Sequence, residues 1–292
     1  MPWDIRAFWR LLTQTAQSWL ADYAPSMGAA LAYYTLFSLA PLLLIVISVA
    51  GLVFGEDAAR GEIAHQLSSL MGDAGAKAVQ DLLASMDKPL EGSLATVLGL
   101  LMLFIGATSV FAELQDALDR IWRVAAQQPS QGWLGLVRTR LLSFGMILAI
   151  GFLLTVSLVA GAVLGAMGAW LQPVFGDWLG LANLVNAMGS FLLVMTMFAL
   201  IYKVMPRAQV QWQDVWTGAV LTATLFTFGK FLIGLYIGRS GVISGFGAAG
   251  SLVVVLLWVY YSAQIFLIGA EFTWVYANAY GSRRVVAPSQ AK

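Results

Sequence analysis

The chain is organised by long stretches that carry no charge. Uncharged runs cover 23–55, 92–112, 141–176, 178–202, 215–238 (broken once, by Lys230) and 240–270. A helix that crosses the hydrocarbon layer needs about 20 mostly apolar residues at ~1.5 Å each, and every run is long enough. Lipid offers bare backbone groups no hydrogen-bonding partner, so each run is expected to be a helix. The alternating strands of a membrane barrel, about ten residues each, do not fit such continuous runs. The expected fold class is therefore all-α: a polytopic integral membrane protein with six transmembrane helices, at about 27–54, 94–117, 141–168, 183–203, 215–237 and 248–276, within a domain over 27–280.

Shorter patterns fill the rest. Over 1–26, Ile5, Phe8, Trp9, Leu12, Ala16, Trp19, Leu20 and Tyr23 recur at helical spacing opposite Arg6, Arg10, Gln14 and Gln17. This predicts an N-terminal amphipathic helix that lies in the membrane interface or packs on the bundle. The loop over 56–93 reads as two short helices, with Ile63, Leu67, Leu70 and Met71 on one and Val79, Leu82, Leu83 and Met86 on the other, parted at Gly72-Asp73. Pro41 removes a backbone donor from the first span and predicts a kink, either a hinge or a fixed bend. Gly161, Gly165 and Gly168, with Ala160, Ala162 and Ala166, form a small-residue ridge in the third span. Gly238, Gly241, Gly245, Gly247 and Gly250 mark a turn after the fifth.

Composition supports this picture and removes several chemistries. Residues are 60% hydrophobic and 11% charged, against roughly 25% charged in soluble domains. Between the runs, eleven Lys and Arg fall on the side that holds both termini and four on the other, which predicts cytoplasmic termini and a cytoplasmic tail over 281–292. The first apolar run is too long for a cleavable signal, so the first span is expected to be retained. A net charge of +1 gives no basic field to attract nucleic acid. With no cysteine and one histidine, His65, thiol chemistry and multi-His metal sites are excluded. No catalytic, cofactor-binding or metal-ligating residue is assigned.

Ionisable groups at membrane depth ask for a reason, since each costs at least ~2.5–3.5 kcal/mol on insertion scales. Lys230 falls in the outer third of the fifth span, and Glu113 and Glu271 fall late in the second and sixth. One reading pairs the glutamates with Arg120, Arg123 and Arg140 at the inner rim. The other is a polar cavity in which Glu271 and Glu113 gate or carry protons while Lys230 and Arg239 attract an anionic head group. Gln264, Asn186, Tyr261 and Trp258 are further candidates to line it, and Pro41 is the candidate hinge.

Four segments carry a family resemblance: Ser38-Leu-Ala-Pro-Leu-Leu-Leu44, Leu118-Asp-Arg-Ile-Trp-Arg-Val124, Tyr202-Lys-Val-Met-Pro206, and Leu257-Trp-Val-Tyr-Tyr-Ser262 followed by Gly269-Ala-Glu271. Together, and in this order, they resemble the YihY/BrkB family of bacterial inner-membrane proteins. Asp119 departs from the Asn expected there. The resemblance implies a six-helix inner-membrane protein, labelled in places a virulence factor and historically a ribonuclease. A single histidine gives the latter label no chemistry to stand on. The favoured reading is a transporter or lipid-translocating protein with membrane lipids as partners and an anionic lipid or amphiphile as cargo. The alternative is a non-transporting scaffold in envelope maintenance. An enzyme is the least supported class, nucleic acid is not expected as a partner, and a homo-oligomer is left open.

Overall fold

The computed structural model describes residues 5–86, 93–124, 145, 179–239 and 250–284. Its helices are α1 (Ile5–Ala21), α2 (Ala24–Phe54), α3 (Glu56–Met86), α4 (Ser93–Ile121), α5 (Leu179–Val204), α6 (Trp212–Arg239) and α7 (Gly250–Ala279). Segments Ala187–Val204, Trp212–Ile237 and Leu252–Ala279 are long and apolar enough to cross a membrane, and α2 makes a fourth if its two halves form one span. Ala24–Ala40 and Leu42–Leu52 meet at 42°, with Pro41 at the junction, where the ring denies the helix an N–H and crowds the preceding turn. The described residues thus define three or four spans. The expected third span, with its small-residue ridge, and most of the glycine-rich turn after the fifth lie outside them.

The chain of α3 folds as two helices parted at Gly72, whose φ of 77° and ψ of 169° suit only glycine. Met71, Ala78, Val79 and Leu83 of α3 bury against Ala40, Leu43 and Ile47 of α2 and Val255 of α7. This caps one end of the bundle.

The other end gathers α1, the α5–α6 connection and the last turns of α7. Here α1 packs on α7 through Leu11, buried with Phe272 and Val275. Of the expected apolar face, Leu12 and Trp19 pack against the bundle. Ile5, Phe8, Trp9 and Leu20 stay exposed, while Leu11 and Thr15 turn inward. Thr15 can be buried cheaply because its hydroxyl donates to the Leu11 carbonyl at 2.8 Å. The contact with α7 runs through Leu11 and Leu12, and Ile5, Phe8, Trp9 and Leu20 are left facing outward.

At the centre, α6 and α7 approach through glycine. A Cβ on Gly218 would lie 1.7 Å from Thr273 Oγ1, and one on Gly269 would lie 1.8 Å from Thr222 Oγ1 and 2.5 Å from the Tyr202 hydroxyl. Tyr202, almost wholly buried, donates to the Phe266 carbonyl at 2.7 Å and lies 2.9 Å from Thr222 Oγ1. This ties α5 to both neighbours.

Candidate functional site

Glu271 is fully buried, and its carboxyl receives no N–H or hydroxyl donor among the described residues, its hydrogen-bonding neighbour being the Asp22 carboxyl. It sits eight residues before the end of α7, as Glu113 does in α4. At ~1.5 Å per residue that is ~12 Å inside each helix end. The charged groups that face Glu271 are Asp22, between α1 and α2, and Arg123, just past α4. Asp22 Oδ2 receives no N–H donor either, and Trp19 Nε1 is buried without a partner.

Local backbone geometry aims these groups. Tyr23 and Arg123 are the non-glycine residues with positive φ among the described residues, at 57° and 52°, a conformation that costs an L-residue roughly 1–2 kcal/mol. Arg123 occupies the place glycine usually takes in a helix stop: its N–H bonds the Arg120 carbonyl at 3.0 Å, and the Val124 N–H bonds that of Asp119 at 2.9 Å. The turn brings the Arg123 guanidinium to 4.2 Å from the Trp274 ring centroid, one turn from Glu271. Tyr23 takes the same conformation beside Asp22, with the Arg120 guanidinium 5.8 Å from its ring. Strain of this kind persists where the surrounding structure over-determines it.

A second buried polar group continues the line. Gln264 lies seven residues before Glu271, ~10 Å along the same face of α7, and both of its side-chain amide atoms are buried without a partner. It rests on Gly28 of α2, where a Cβ would come within 1.9 Å of Nε2. The face of α7 toward α1 and α2 therefore carries two buried polar side chains with open hydrogen-bonding capacity.

The other candidates are not on this line. Lys230 is exposed on α6 beside Phe228, Phe231 and Leu232, which are 69%, 71% and 57% exposed. It does not enter the interior, because an aliphatic stem near the end of α6 can run along lipid and lift its ammonium to the interface. Tyr261 faces α6, its hydroxyl 2.8 Å from where a Gly229 Cβ would stand. Trp258 packs edge-on against Phe226 with centroids 6.3 Å apart. Glu113 is half-buried, and no ion pair joins it to an arginine among the described residues. Arg239 ends α6 and Asn186 lies in α5, but their side chains lie outside the described residues. Pro41 marks the bend already noted.

Two further acids, unassigned by pattern, prove structural. Asp119 accepts the Arg207 backbone N–H at 2.7 Å and pairs with its guanidinium at 3.2 Å, while Gln115 donates to the Met205 carbonyl at 2.9 Å. The segments around Asp119 and Pro206 are thus two halves of one contact. Asp214, 1% exposed, accepts the backbone N–H and hydroxyl of Ser282 and so holds the turn after α7 to the start of α6. Beside that turn is an open cavity of about 740 Å³ lined by Lys203, Gln209, Trp212, Ser282 and Arg283 among others, and by none of the candidates above.

Known proteins place the chain. The family model described as Virulence factor BrkB matches residues 15–292. A UPF0761 membrane protein of Pseudomonas aeruginosa is 29% identical over 259 residues, 87% of this chain and 60% of that protein. One of Tolumonas auensis is 29% identical over 255 residues, 86% of this chain and 80% of its own length. One of Alcanivorax borkumensis is 30% identical over 277 residues, 92% of this chain and 60% of its own length. The chain thus spans about 60% of the length of the Pseudomonas relatives. No solved structure matches it. With the family model covering nearly every residue, and with apolar helices of membrane-crossing length beside it, the chain belongs to the BrkB family of membrane proteins.

Proposed function

We propose that this protein is a transporter or lipid-translocating protein of the bacterial inner membrane, with its termini in the cytoplasm and an anionic lipid or amphiphile as cargo. One observation carries the reading: Glu271 and Gln264 lie on one face of α7, the Gln264 amide buried without a partner and the Glu271 carboxyl set against the Asp22 carboxyl with no N–H donor on it among the described residues. A purely structural polar group is ordinarily satisfied when buried, and an unpaired one costs about 1–3 kcal/mol. Groups left open in this way suit a path whose partner, a proton, water or cargo, comes and goes. Glu271 and Asp22, facing each other below Arg123, would pass a proton at the rim where the termini lie. Gln264 would offer a donor and an acceptor one step deeper.

The test is purified protein reconstituted in vesicles with a fluorescent phosphatidylglycerol, its transfer between leaflets read by dithionite quenching with and without a pH gradient. Wild-type protein is expected to speed transfer, and Glu271→Gln to slow it at least tenfold while the protein stays monodisperse. Unchanged transfer by Glu271→Gln and Asp22→Asn would discard the site. No transfer by the wild type in any arm would discard the activity and leave the scaffold reading.

A further inference from the structure

We infer that the cavity between the α5–α6 connection and the turn after α7 is a fixed binding site for the head group of an anionic phospholipid, separate from the path along α7. The cavity holds about 740 Å³ and is lined by two cations, Lys203 and Arg283, three glutamines, Gln209, Gln211 and Gln213, and the exposed Ser282, with no acid among its lining residues. Neither cation has an acidic partner among the described residues. Lys203 donates to the Val210 carbonyl and lies 5.7 Å from the Trp212 ring centroid. Arg283 donates to the Gln209 carbonyl at 3.3 Å and lies 4.8 Å from that of Trp122. Carbonyls and ring faces hold the two side chains, and the nearby Asp214 carboxylate is taken up by the Ser282 N–H and hydroxyl, which leaves further N–H groups of both cations free to donate. That is the chemistry a phosphate diester needs, and glutamine amides beside it suit a polar glycerol head.

The neighbouring surface says where the ligand comes from. Trp212 and Trp216, stacked at 6.2 Å, are 44% and 39% exposed. They stand one turn apart at the start of a membrane-length helix, where amphipathic rings settle at head-group level. The cavity therefore opens beside the lipid interface at the end of the bundle that holds α1 and the last turns of α7. A lipid seated there would place its phosphate between Lys203 and Arg283 and its acyl chains along the exposed Trp212 and Trp216.

Native mass spectrometry of the purified full chain in a neutral detergent, titrated with phosphatidylglycerol, phosphatidylcholine or inorganic phosphate, tests this. Wild-type protein is expected to bind phosphatidylglycerol at least tenfold more tightly than phosphatidylcholine, and excess inorganic phosphate to leave that binding in place. One Lys or Arg near an anionic lipid surface is worth about fivefold in affinity, so Lys203→Gln with Arg283→Gln should weaken it roughly 25-fold. Lys203→Arg should keep it, and Arg10→Gln, on α1, should leave it unchanged. Equal binding of the two lipids, or no loss in a double variant that elutes and melts as wild type, would overturn the inference. Displacement by millimolar inorganic phosphate would mean a free-phosphate site and overturn the lipid assignment. Glu271→Gln is expected to keep full binding here, so failure of this site and failure of the α7 path give different results.

Discussion

A single methyl group added at Gly218 should push α6 and α7 apart. It would stand 1.7 Å from Thr273 Oγ1, 2.9 Å from Thr273 Cβ and 3.1 Å from the Gly269 carbonyl oxygen, well inside ordinary van der Waals separation. The threonine cannot turn away freely, because it is fully buried and its hydroxyl already donates to Gly269 at 2.7 Å. The carbonyl moves only with its helix. Overpacking of this kind costs about 1–3 kcal/mol, and the Gly218→Ala variant should lose that much in reversible unfolding by SDS in mixed micelles, followed by tryptophan fluorescence. Thr273→Ala alone forfeits a hydrogen bond worth about 1 kcal/mol. Placed in the Gly218→Ala background it removes the worst contact, so the two changes should couple favourably by at least ~0.5 kcal/mol. A Gly218→Ala variant as stable as wild type, or strict additivity in the cycle, would show that the close approach is not where the stability lies.

Substitutions at three other positions probe the rim and the α7 face. Asp119→Asn keeps an acceptor for the Arg207 N–H and loses only a partly exposed ion pair, so it should cost under ~1 kcal/mol. Asp119→Ala strands that N–H and should cost about 1–3 kcal/mol in the same unfolding assay. Arg123→Gly should be more stable than Arg123→Ala by roughly 1 kcal/mol, because only glycine takes the left-handed turn without strain; equal stabilities would mean that the turn has another geometry. Gln264→Leu should stabilise the fold by about 1–3 kcal/mol if its amide has no resident partner, and a loss on melting would reveal bound water or another donor in the α7 path.

Long apolar runs announced the helices because membrane thickness imposes a length that few soluble segments reach. Gly72 was readable as the break in α3 since a glycine-aspartate pair between two apolar patterns leaves few alternatives. The buried strip of α1 was not. Amphipathicity points to the most apolar face without saying what covers it, and here Ile5, Phe8, Trp9 and Leu20 are left exposed while Leu11 meets α7. Asp22 went unread because it precedes the first uncharged run, and only the fold carries Arg123 and Glu271 to it. Lys230 could be read either way, because a long side chain in the outer third of a span can face the interior or snorkel outward, and only the fold leaves it exposed. The small-residue ridge expected in the third span lies outside the described residues; a further close approach, not read from pattern, joins α6 and α7 at Gly218 and Gly269, where each glycine is matched by a threonine on the other helix.

The bend in α2 divides the protein's interior unevenly. Below Pro41, Ala24, Met27 and Leu31 share a core with α4, α5, α6 and α7. Flanking the bend on both sides, Ala40, Leu43 and Ile47 belong with α3. Helix α7 runs unbroken past both, lending Val255 to one and Leu267 to the other. It thus acts as a splint across the bend at Pro41, so any change of angle there would have to flex α7 or slip the seam along Val255.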